Sequence, residues 1–196
     1  MGKEKYIKTI LELFKKSSVV DINSILRIIK NKKKVSQYGK QFIRNLIKNG
    51  RIKRITRGFY TIHDEPSLAV FCFSPSYLGL QDSLSANNLW EQETIPIIIT
   101  SKKVRQGIRK VFGVNVLIRR IDNKYLFGFE YCKDGDFYFP YSDIEKTFID
   151  MIYFKQPISE EALKLFKKRI DKKKLKDYLK RYPKEFRERV LRIGKS

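Results

Sequence analysis

Cationic and amide side chains recur through residues 36–60 at spacings that suit phosphate oxygens and base edges. Gln37, Lys40, Gln41, Arg44 and Lys48 fall every three or four residues, so on an α-helix they share one face. Arg51, Lys53, Arg54 and Arg57 follow in a stretch with a glycine on either side. No Asp or Glu interrupts the run from Ser36 to Tyr60. Guanidinium and ammonium groups are strong donors to phosphate, and Gln and Arg can pair in two-pronged fashion with adenine and guanine edges. A helix that is merely solvated normally mixes charge signs, so this acid-free face points to a polyanion as its partner.

A second set with chemical potential is Asp143, Glu145 and Lys146, with Asp150 beyond it. A metal-dependent nuclease needs clustered carboxylates around Mg²⁺ and often a Lys that orients water. Here Glu145 and Lys146 are adjacent at a helix start rather than separated by one residue on a strand. Ser142-Asp143-Ile144-Glu145 reads as a capping box, and Asp150 falls off the face of Glu145, so a structural role is expected for these residues. Cys72 and Cys132 sit apart in apolar or aromatic stretches and are expected to be buried and reduced. With His63 as the single histidine, neither a zinc set nor a Ser/His/Asp or Cys/His arrangement is present. No glycine-rich phosphate loop appears. Catalytic residues, cofactors and metal ligands are therefore not expected.

The elements needed to position the basic face are legible. Residues 5–16 put Ile7, Ile10, Leu11 and Phe14 on one helical face. Residues 21–30 begin at an Asp21 N-cap and bury Ile22, Ile25, Leu26 and Ile29. The third helix starts at a Ser36 N-cap, buries Phe42, Ile43, Leu46 and Ile47, and stops at Gly50. Arg51–Ile55 and Phe59–Thr61 are β-prone, with Thr56-Arg57-Gly58 turning between them. This order predicts a winged helix-turn-helix, with 36–48 as the recognition helix and 51–61 as the wing. Gln37, Lys40, Gln41 and Arg44 would face base edges; Ser36 and Tyr38 are also expected DNA-binding residues, Tyr38 either packing inward or reaching a phosphate. Lys48, Arg51, Lys53, Arg54 and Arg57 would hold the DNA backbone. Lys32-Lys33-Lys34 forms a basic turn before the third helix.

Residues 62–66 (Ile-His-Asp-Glu-Pro) break the pattern, which places a DNA-binding domain at 1–64 and a second domain at 66–196. The expected class is α+β. Leu68–Phe73 is a predicted strand, Tyr77–Leu89 a helix, Ile95–Thr100 a buried strand and 102–111 a basic helical or irregular segment. Val114–Arg119, Lys124–Tyr131 and Phe137–Pro140 alternate as antiparallel strands do, giving a small, mostly antiparallel sheet. A helical tail follows, with starts at Ser142, Ser159, Asp171 and Lys184.

The chain has 196 residues and a formal charge of +22. Residues 1–65 and 141–196 carry most of that excess, and the middle is nearly neutral. Ends of this kind attract nucleic acid. No apolar run approaches the ~18 residues of a membrane span, and no signal peptide is evident, so a cytoplasmic protein is expected.

Four segments in order resemble the AbiEi family of type IV toxin–antitoxin antitoxins. They are LIKNGRIKRITRGFY (Leu46–Tyr60), PSYLGLQDSL (Pro75–Leu84), NLWEQETIPIIITSKKVR (Asn88–Arg105) and YSDIEKTFIDMIYF (Tyr141–Phe154). The resemblance implies an autorepressing, sequence-specific DNA-binding regulator whose second domain acts as antitoxin toward a nucleotidyltransferase-like toxin. The alternative is a metal-dependent nuclease or an RNA-binding protein that uses the winged helix for docking. An adaptor without nucleic-acid affinity is a third reading.

Overall fold

The computed structural model describes residues 2–29, 35–89 and 94–195. The Lys32-Lys33-Lys34 turn and the Trp90–Glu93 part of the third family-like segment lie outside the described residues. The chain divides into two compact units, Met1–Cys72 and Phe73–Ser196.

In the first unit, α1 (Gly2–Lys16), α2 (Ile22–Ile29) and α3 (Val35–Lys48) accompany a three-stranded antiparallel sheet. Its strands are β1 (Val20–Asp21), β2 (Lys53–Thr56) and β3 (Phe59–Thr61), in the order β1-β3-β2. The core joins Ile10 and Phe14 of α1, Ile25 and Ile29 of α2, and Phe42, Ile43 and Leu46 of α3, with Ile52 and Tyr60 from the sheet region. Each large apolar side chain so buried contributes roughly 1.5–3 kcal/mol. Asp21 caps α2 as expected: its Oδ1 accepts from the amides of Asn23 and Ser24 at 2.9 and 3.3 Å.

The start of α3 differs from expectation. The helix begins at Val35, so Ser36 lies inside its first turn rather than preceding it as a cap; the Ser36 side chain lies outside the described residues. The end follows expectation. Gly50 has φ 64°, the Arg51 amide donates to the Leu46 carbonyl at 2.9 Å, and that of Gly50 donates to Ile47 at 3.0 Å. This pair of bonds is a Schellman stop. The Ile22 amide donates to the Gly58 carbonyl at 2.8 Å, and β1 pairs with β3 at Val20–Tyr60, so the hairpin is tied to the start of α2.

The predicted strand at 68–73 is helical. Pro66–Leu68 forms a 3₁₀ turn and Ala69–Cys72 the short α4. An unbroken apolar run has no period by which to choose, whereas Glu65, whose side chain accepts from the Ser67 amide, and Pro66 at the first helical position both favour a helix start. That turn and α4 belong to the first unit, so its boundary falls at Cys72, beyond residues 62–66.

The second unit is built on a six-stranded mixed sheet, larger than the small sheet expected. Its strands are β4 (Ser76–Leu78), β5 (Ile97–Thr100), β6 (Gly107–Val111), β7 (Val114–Arg120), β8 (Phe129–Asp134) and β9 (Phe137–Ser142). Their order is β6-β7-β5-β4-β9-β8, with β5/β7 and β4/β9 parallel and the other neighbours antiparallel. The mixed α/β class holds for the molecule.

Three segments correct the expected elements. Residues 77–89 split into β4 and α5 (Gln81–Ala86) because Gly79 must pass close to β5: a Cβ there would lie 2.5 Å from Ile99 Cδ1. The 102–111 segment contains β6, joined to β7 by Phe112-Gly113, both at positive φ as a type I′ hairpin requires. The strand expected from Lys124 begins only at Phe129, after a 3₁₀ turn at Asn123–Tyr125 capped by Asp122.

Helices α6 (Ile144–Tyr153), α7 (Glu160–Arg169), α8 (Lys172–Leu179) and α9 (Lys184–Lys195) complete the unit. Ser159 and Asp171 cap α7 and α8 as expected. A core of Phe148, Met151, Phe166, Leu179 and Val190 from these helices meets Tyr77, Ile97 and Ile99 of the sheet.

Candidate nucleic-acid interface

The α3 surface is sorted by its helical phase. Phe42, Ile43 and Leu46 are buried, while Gln37, Tyr38, Lys40, Gln41, Arg44, Asn45 and Lys48 are exposed. Gly39 is buried on the inner side, where a Cβ would stand 2.4 Å from Leu26 Cδ2. A glycine in a helix interior costs about 1 kcal/mol relative to alanine. Here it admits the α2 side chain, so α3 packs closely on α2 while its polar face stays outward. That glycine is a positioning signal the helical pattern alone does not reveal.

Tyr38 is 48 % exposed, with its ring centroid 6.2 Å from that of Phe42. Its alternatives are thereby narrowed to an outward side chain at the margin of the face. Gln41 Nε2 donates to Asn45 Oδ1 at 3.2 Å, so Asn45 shares the surface although residue spacing did not single it out. Lys40, Arg44 and Lys48 lie along the same exposed face and have no carboxylate partner among the described residues.

The hairpin extends the cationic surface. Arg51, Arg54 and Arg57 are exposed, and Arg57 stands at the turn beside Gly58, whose φ is 85°. Arg54 Nε donates to the Thr56 carbonyl at 3.3 Å. Lys53 differs from these neighbours: it is half-buried and forms an ion pair with Asp64. Of the expected contact residues with described side chains, Lys53 alone has an acidic partner among the described residues. Below the surface, Asp21 titrates beneath its ordinary value. Burial opposes this, and the hydrogen bonds from Ser24 and Asn23 with the nearby Arg27 charge outweigh it.

The carboxylates at 143–150 are arranged otherwise. Asp143, not Ser142, caps α6: its Oδ1 accepts from the Lys146 amide at 2.8 Å. Ser142 Oγ instead donates to Ser83 Oγ at 2.9 Å. Glu145 does not reach back to form the expected capping box; its Oε1 accepts from the Asp171 amide at 2.8 Å, at the start of α8. Lys174 Nζ stands 3.1 Å from Asp143 Oδ2 and 3.3 Å from Glu145 Oε2. Burial works against the Lys174 charge, yet Asp143 and then Glu145 hold its ammonium above the ordinary value.

Beneath this set, Lys146 and Asp150 form an i, i+4 ion pair with both side chains fully buried. Tyr77 donates to Asp150 Oδ2 at 2.6 Å, and Lys146 Nζ donates to the Tyr182 hydroxyl at 3.3 Å. Burial lowers the Lys146 ammonium and raises the Asp150 carboxyl, while their mutual attraction offsets part of each effect. The network joins β4, α6 and the turn between α8 and α9. The sequence shows only the i, i+4 spacing of Lys146 and Asp150, which an exposed helical pair would share. No group of three His, Cys, Asp or Glu side chains among the described residues is arranged to hold a metal ion.

Cys72 is buried as expected, but Cys132 is exposed because β8 is an edge strand whose outer residues lack a covering layer; neither forms a disulfide among the described residues. No helix among the described residues is long and apolar enough to cross a membrane. Comparison of the chain with protein-family models and with curated proteins found no match.

Proposed function

We propose that the first unit is a winged helix-turn-helix that binds double-stranded DNA, with α3 as recognition helix and the β2–β3 hairpin as wing. The element order, three helices followed by a hairpin whose inner strand pairs with β1, supports this reading. One observation carries it: an exposed, acid-free α3 face that continues into the arginines of the hairpin. Gln37, Lys40, Gln41 and Arg44 meet base edges, while Lys48, Arg51, Arg54 and Arg57 hold phosphates. Lys53 contributes after exchanging Asp64 for phosphate.

The chain then acts as a cytoplasmic, sequence-specific transcriptional regulator of its own promoter. The AbiEi resemblance supports an antitoxin role for the second unit toward a nucleotidyltransferase-like toxin. We place the nuclease alternative below it, because Asp143, Glu145 and Asp150 each cap a helix or pair with a lysine.

Anisotropy titration of the full chain with promoter duplex across a salt series tests the DNA reading. Neutralising ~6 phosphates gives a slope of log K against log[salt] near −5. A slope near zero would remove the electrostatic basis of the proposal. Growth rescue on co-expression with an adjacent nucleotidyltransferase-like gene tests the antitoxin part separately.

A further inference from the structure

Helices α6 to α9 line an open-mouthed cavity of about 460 Å³. Its floor is apolar, made by Phe148, Phe166, Ile170, Leu175 and Leu191. Its rim carries Lys167 of α7 and Lys172 and Lys176 of α8, and no acidic residue lines it among the described residues. Lys172 and Lys176 are four residues apart on one helix, a spacing at which like charges repel. Their neighbours are engaged, Lys174 by Asp143 and Glu145 and Lys180 by Asp177, whereas the three rim lysines have no ion-pair partner among the described residues. A second hollow of about 310 Å³ shares Lys176 and Leu191 with the first and adds Lys184, Arg187 and Glu188, so the opening continues between α8 and α9.

Gly194 leaves the floor bare at one end. A Cβ there would come 3.7 Å from Phe148 Cε1, an ordinary contact, so the site has room for a side chain that α9 does not supply. Cavities of ~300–1,000 Å³ with apolar walls and a few convergent polar groups are the usual form of small-ligand sites. A nucleic-acid backbone would satisfy the lysines and leave the apolar floor unfilled. A neutral apolar molecule would fill the floor and leave three ammonium groups crowded without an anion.

We infer that this cavity binds a small amphiphile with an apolar body and an anionic head, such as a long-chain carboxylate or phosphate monoester. Lys167, Lys172 and Lys176 hold the head, and Ile170, Leu175 and Leu191 line the body over Phe148. The inference is independent of the DNA reading.

The test uses the full chain, with anilinonaphthalene sulfonate as fluorescent probe and dodecanoate as competitor. Dodecanoate should displace the probe at one equivalent, while dodecyltrimethylammonium and acetate should not. Lys172→Ala/Lys176→Ala should weaken dodecanoate about tenfold or more, as loss of charge-assisted bonds does. Gly194→Leu, which fills the floor, should do the same. Lys8→Ala/Lys16→Ala, which removes equal charge from exposed positions of the first unit, should leave binding unchanged. Circular dichroism checks that each variant is folded, and the lysine pair decides if Gly194→Leu is not. Equal losses in both lysine pairs, or equal displacement by the cationic amphiphile, would overturn the site. Displacement by hexaglutamate as good as by dodecanoate would overturn it in favour of an acidic protein segment. Binding only to phosphatidylglycerol vesicles, with free dodecanoate inert, would overturn it in favour of a membrane surface.

Discussion

The α3–hairpin surface and the surroundings of α6 treat their cations in opposite ways. On α3 and the hairpin, Lys40, Arg44, Lys48, Arg51 and Arg57 face outward, and the chain offers them no carboxylate among the described residues. Around α6, Lys146 and Lys174 are met by Asp150, Asp143 and Glu145, and the first of these pairs is wholly buried. Residues 36–60 carry seven Lys/Arg and no acid, whereas the set around α6 holds two lysines against three carboxylates. What separates them is the source of the countercharge, supplied from within in one case and left to a partner in the other. Charges of the first kind hold the fold; those of the second contribute little to folding and are available for binding.

The sharpest break of this contrast is at the buried pair. Asp150→Ala should cost about 3–5 kcal/mol in urea unfolding of the full chain, because it strands the Lys146 ammonium without a partner. Lys146→Met/Asp150→Leu should recover most of that loss; a double variant as unstable as the single one would mean the charges themselves are required. On the exposed side, Arg44→Ala should lower affinity for a preferred duplex by about 1–3 kcal/mol and relax base preference, with unfolding unchanged. Arg54→Ala should instead weaken all duplexes alike and reduce the salt slope by about one. A swap of these two signatures would reverse the assigned roles.

Asp21→Ala should destabilise the first unit by about 1 kcal/mol, the usual value of a helix cap. Because the folded Asp21 carboxyl titrates below 3.8, its contribution is complete above that pH and disappears as pH falls through the lower folded value. An acid titration of α2 helicity should therefore show wild type and Asp21→Ala fully separated above pH 3.8 and converging as pH falls through the lower folded value. The smallest effect belongs to Asp64→Asn. Its exposed pair with Lys53 should change stability by less than about 0.5 kcal/mol. It should also strengthen DNA binding slightly, since Lys53 no longer has to leave a carboxylate; weaker binding would place Asp64 in the contact surface itself.

Where local chemistry decides the structure, residue order was enough. The Asp21, Ser159 and Asp171 caps, the Gly50 stop and the α3 phase all rest on neighbours within a few residues. Departures arise where the apolar pattern has no period or where distant chain intervenes. Residues 68–73 form an apolar run without a period, and the Glu65–Pro66 signal before them settles the outcome as helix. Segment 102–111 becomes a strand because β7 lies ready to pair with Gly107–Val111. Glu145 leaves its own helix to serve α8, twenty-six residues away in sequence. The candidate contact face was legible because exposure follows helical phase; the buried Lys146–Asp150 network was not, since Tyr77 and Tyr182 reach it only through the fold.

The bond from the Ile22 amide to the Gly58 carbonyl has a mechanical consequence. With β1 paired to β3 on one side and β2 on the other, the hairpin is clamped along its inner strand and cannot swing independently of α2. A clamped arm has few conformations to surrender when something grips its arginines, so contact there loses little chain entropy. Force applied at the tip would also travel straight to the start of α2 and, through the Gly39 contact, into α3. The arm and the helix face then behave as a single stiff jaw rather than as a reader with a loose flap.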